Sequence, residues 1–92
     1  MNHGTYAAQL FMDGYNCAQA VVIAFCDVTG LEQSTAAALA SSFGGGIGRM
    51  GEVCGAVSGM VMVAGHLYGH TEPNNDVQLA HYARTRELVA QF

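Results

Sequence analysis

Two cysteines stand where a thiol can react. Cys17 lies in Tyr15-Asn16-Cys17-Ala18-Gln19-Ala20-Val21, directly after a residue suited to cap a helix. Cys54 lies in Gly51-Glu52-Val53-Cys54-Gly55-Ala56-Val57-Ser58-Gly59, directly after a run of glycines. Each is expected in the first turn of an apolar helix, where free backbone N–H groups and the positive end of the helix dipole favour a thiolate. That placement suits thiol redox exchange, with one sulfur as nucleophile and the other as its resolving partner. The competing reading is packing, since free cysteine is among the residues most often buried as a small hydrophobe.

Cys26 is a different case. Nine residues beyond Cys17 in one helix, it would sit about 13 Å further along and half a turn round, so the two do not bridge within an intact helix. At the negative end of that helix it is expected to serve packing.

Histidines offer a second chemistry. His66 and His70 are four apart, the spacing that puts two imidazoles on one helix face, with Cys54 or His81 as a third ligand. The set Cys17, Cys54 and His66 would make the thiolates ligands of a metal ion or an iron–sulfur cluster, although no cofactor is required by the pattern. Gly44, Gly45, Gly46 and Gly48 could turn their N–H groups towards an anion, but the Lys-Ser/Thr and the preceding strand of a nucleotide loop are missing. Asp13, Asp27, Glu72 and Asp76 read as turn or cap carboxylates.

The elements that must hold these residues are helices. Tyr6, Ala7, Leu10 and Phe11 recur at helical spacing between Thr5 and Met12, and Asp13-Gly14 breaks the run. Asn16 caps a second helix that runs from Cys17 to about Phe25 with Ala18, Val21, Val22 and Phe25 repeating. After Thr29-Gly30, Glu32 or Ser34 opens an alanine-rich helix reaching Phe43. The segment Gly44 to Gly51 is too rich in glycine for regular structure and is expected as a loop. A central buried helix follows from Glu52 to Tyr68, with Gly51, Gly55 and Gly59 forming a stripe of small residues that lets another helix approach closely. Glu72-Pro73-Asn74-Asn75 is a turn. The last helix runs from Asp76 to the end, with Leu79, Tyr82, Ala83, Val89 and Ala90 on one side. The expectation is an all-α fold: one small bundle of about five helices, a single domain over residues 1–92, with a glycine-rich loop before the central buried helix.

Composition narrows the function. Of the 92 residues 51% are apolar and only 11% charged, too little charge to coat a solitary domain generously, so a homo-oligomer or a subunit of a larger complex is expected. There is no lysine, the arginines are Arg49, Arg84 and Arg86, and the net charge is −4, which disfavours nucleic acid as a partner. The central apolar run is shorter than the roughly 20 residues of a membrane span. With no basic stretch and apolar run at the start, a cytoplasmic location is the default expectation, and there thiols are kept reduced.

Taken together, the segments FMDGYNCAQAVVIAF and FGGGIGRMGEVCGAVSGMVMVAG and the closing helix resemble the bacterial and archaeal family of redox-active proteins labelled by its cysteine pattern, C_GCAxxG_C_C. Its second element stands here as Cys54-Gly55-Ala56-Val57-Ser58-Gly59. The resemblance implies a helical domain with four characteristic cysteines and a thiol redox or metal-linked role. It carries onto Cys17 and Cys54. The other two cysteines would be expected beyond a helix such as Thr85 to Phe92, so the sequence is expected to lack a C-terminal segment or to be a short relative.

Overall fold

A computed structural model describes residues 2–71 and 73–91 of the chain. Glu72, expected in a turn, and Phe92, expected at the end of the last helix, lie outside the described residues. Among the latter the chain is all-α: α1 (His3–Met12), α2 (Cys17–Ala24), α3 (Cys26–Thr29), α4 (Gln33–Ala40), a 3-10 turn (Ser41–Phe43), α5 (Gly55–Tyr68) and α6 (Asn75–Ala90). The six helices exceed the expected five because the second helix breaks at Phe25, whose φ of −99° and ψ of 11° leave the helical range. Cys26 therefore opens the short α3 instead of ending α2.

Helix α2 is the hub. Its Ala18, Ala20, Val22, Ile23 and Ala24 are buried, with Leu10 from α1, Ala36 and Ala40 from α4, and Val63 from α5. Small residues dominate that core, so helix backbones approach closely, and α1, α4 and α5 all pack on α2. Caps fix the starts. Asn2 accepts from the Thr5 amide at 2.7 Å and begins α1 two residues earlier than the apolar spacing suggests.

Helix α5 begins at Gly55, three residues later than expected, with Cys54 as its N-cap and Glu52 in the preceding bend. Gly51 belongs to the loop at φ 71° and does not extend the stripe. Gly55, Gly59 and Val63 are the buried face. Helix α6 packs on α5 but buries no residue fully. Its half-buried face is Gln78, His81, Thr85 and Leu88, so the expected apolar side is turned away: Leu79, Tyr82 and Val89 are exposed. No described helix is long and apolar enough to cross a membrane.

Candidate functional site

Each residue of Asn16-Cys17-Ala18-Gln19 has a separate task at the start of α2. Asn16 Oδ1 accepts from the Gln19 amide at 2.8 Å, and the Asn16 amide donates to Gln19 Oε1 at 3.1 Å, a reciprocal capping box. The same two side chains reach across to α4 and the 3-10 turn: Asn16 Nδ2 donates to Ser41 O at 3.1 Å and Gln19 Nε2 to Ala37 O at 3.0 Å. Ala18 is fully buried. Cys17 is thereby held in the first turn of α2 with its side chain directed at α5.

The position it reaches is Gly55. A Cβ built on Gly55 would collide with Cys17 Sγ and lie 3.1 Å from Phe43 O and 3.2 Å from Ala18 N. The sulfur thus fills the space of a missing side chain one residue from Cys54. Cys17 is half-buried and Cys54 exposed, both are free thiols, and both line one concavity of about 370 Å³ together with Gly45, Gly46 and Val53.

The wall of that concavity is an unusual loop. Five consecutive residues, Gly45 to Arg49, have φ between 59° and 77°, including the non-glycine residues Ile47 and Arg49. Left-handed residues normally occur singly, and each non-glycine one costs about 1–2 kcal/mol. Backbone bonds hold the turn closed: the amides of Ile47, Gly48, Arg49, Gly51 and Glu52 donate to Phe43, Ser42, Gly44, Gly45 and Gly46 carbonyls at 2.8–3.2 Å. The Gly48 N–H, expected to help cradle an anion with Gly44, Gly45 and Gly46, is consumed by the loop itself. Gly44 is needed for contact, since a Cβ there would run into the Asn16 side chain.

His66 is not brought to the thiols. It lies twelve residues beyond Cys54, about 18 Å along the axis of α5, and its Nε2 is 2.8 Å from Thr29 O. The expected set Cys17, Cys54 and His66 is therefore not assembled, and the described residues contain no group of three or more His, Cys, Asp or Glu able to hold a metal ion. A structural zinc takes four such ligands, so the donors present do not fit a metal centre built within the described chain. His66 and His70 do not share a helix face either, because α5 ends at Tyr68 and Gly69 is extended. His70 instead meets His81 of α6, edge to face at 5.7 Å between ring centroids. Both Nδ1 atoms are buried and have no hydrogen-bond partner among the described residues.

Cys26 lines a separate concavity with His3 and Asp27, which pair at 2.9 Å. Burial, then the Asp27 carboxylate, push its thiol above the ordinary value. Sequence spacing did not reveal Arg49 as part of the site. Arg49 lines a larger trough to which Cys17 also contributes, and only the glycine density around it marks the place.

Fold and site define a small helical protein in which two free thiols from the starts of two packed helices share a cleft walled by a glycine-wound loop. Residues 15–92 match the family model described as "Putative redox-active protein (C_GCAxxG_C_C)", and the chain belongs to that family. No curated protein and no solved structure matches the chain.

Proposed function

We propose that the chain is a thiol redox protein whose working pair is Cys17 and Cys54, cycling between dithiol and disulfide in a reducing compartment such as the cytoplasm. One observation carries the reading: Cys17 Sγ packs where a side chain of Gly55 would stand, next to Cys54, and both thiols open on the same cleft. Membership of a redox family and the exposure of Cys54 support it. The glycine of the CGAxxG pattern then has a physical purpose, which is to admit the sulfur.

Mild oxidation with diamide, differential alkylation and peptide mass spectrometry test this. A Cys17–Cys54 disulfide with Cys26 free is the expected product. If Cys17 and Cys54 both stay alkylatable after oxidation, the reading is wrong.

A second reading, as a subunit of an oligomer or larger assembly, is supported by the open side of α6, where Leu79, Tyr82 and Val89 are exposed. Light scattering at micromolar concentration should give at least a dimer mass; a monomer mass overturns it.

A further inference from the structure

Cys17 faces two concavities. One is the cleft it shares with Cys54; the other is a trough of about 760 Å³ lined by Tyr15, Asn16, Ser41 and Arg49. Among the described residues, only Cys17 and Gly45 line both. The trough is within the size range of small-molecule sites.

Arg49 gives the trough its character. It is exposed, no described carboxylate lies within 4.0 Å of it, and it makes no side-chain hydrogen bond among the described residues. In a chain of net charge −4 with three arginines and no lysine, such a cation in a trough that a thiol also lines is a selective feature. It is also held at φ 64°, where glycine would sit without strain. A strained backbone that persists at a cleft is a reason to look for function in the residue.

Resting on the redox reading above, we infer that the trough binds a small disulfide bearing carboxylates, with Arg49 taking a carboxylate and Cys17 facing the disulfide sulfur. The Cys17 thiolate attacks one sulfur of RSSR, the S–S bond breaks, and one RS⁻ leaves as Cys17–S–SR forms. Cys54 thiolate then attacks the Cys17 sulfur from the cleft the two thiols share, expelling the second RS⁻ and leaving the Cys17–Cys54 disulfide. Two electrons pass from the protein thiols to RSSR, and the two thiol protons end on the RSH products.

The test compares oxidised glutathione with the uncharged bis(2-hydroxyethyl) disulfide, in the wild type and in Arg49→Gln. Loss of a charge-assisted contact should slow the reaction with oxidised glutathione by about tenfold in the variant at low salt, while the neutral disulfide reacts as before. High salt should erase much of the wild-type preference. Arg49→Gly should show the same selective loss without a lower urea midpoint, because the left-handed position then carries a residue at ease there. Equal slowing on both disulfides, or none, overturns the inference while leaving the redox pair intact. If neither disulfide yields a Cys17–Cys54 bridge in the wild type, the redox reading itself falls, and this inference with it.

Discussion

Helix α5 meets its two neighbours in opposite ways. Towards α2 it presents Gly55, Gly59 and Val63, all buried, and the gap between the backbones is filled by Cys17 Sγ and Val21. Towards α6 it presents Ala64 and Tyr68, and a space of about 180 Å³ remains between them and His81, Arg84, Thr85 and Leu88. One seam is closed to the volume of a methyl group and the other is loose. The contrast separates the part of the chain that holds the thiols from the part that only attaches to it.

The contrast is most easily broken at the glycines of α5. Gly55→Ala forces a methyl into Cys17 Sγ and is expected to cost about 3 kcal/mol in urea unfolding, at the upper end for overpacking. Gly59→Ala places its Cβ 3.0 Å from Val21 Cβ and 3.1 Å from Ala18 O, and a loss of about 1–2 kcal/mol is expected. Across the helix the sign should reverse. Ala64→Leu extends into the α6 space and should raise stability by about 1 kcal/mol, as cavity filling commonly does. Gly65→Ala meets nothing within 4 Å, so helix propensity alone should yield a gain of about 0.5–1 kcal/mol. If Gly65→Ala proved as costly as Gly55→Ala, the two faces would not differ as described.

The smallest effect concerns pH at the far end of α2. With the Cys26 thiol raised by burial and by Asp27, the folded protein keeps that proton to higher pH than the unfolded chain does. The contribution is complete below the ordinary thiol range and is lost as pH rises through the folded value. The urea midpoint should therefore decline above about pH 8.5, and Cys26→Ala should flatten that decline.

Much of the closed seam was legible in the sequence. Asn16 as a cap, the apolar repeat from Ala18, and the spacing of Gly55 and Gly59 all pointed to it, because capping and close approach depend on residue type at fixed offsets. The capping-box partner Gln19 was missed, although its place three residues after Asn16 is the signal that could have found it. The break at Phe25 was not, since neither glycine nor proline marks it. The left-handed turn was half visible: glycines at 45, 46 and 48 permit positive φ, but Ile47 and Arg49 adopt it only because the surrounding loop bonds require it. The apolar side of α6 was legible as a side but not what covers it, because helical periodicity says which residues share a face and not which neighbour meets it: Leu79, Tyr82 and Val89 are exposed. His66 shares with Cys54 the α5 segment but not its end, a separation that sequence spacing alone stated and residue chemistry obscured.

Because Cys17 sulfur stands in for a side chain at position 55, the thiol proposed to react is also a piece of the packing between helices. Any covalent change at that atom redistributes volume in the α2–α5 seam. Under the redox function proposed above, the oxidation state would be tied to the spacing of the two central helices and so be readable from shape alone.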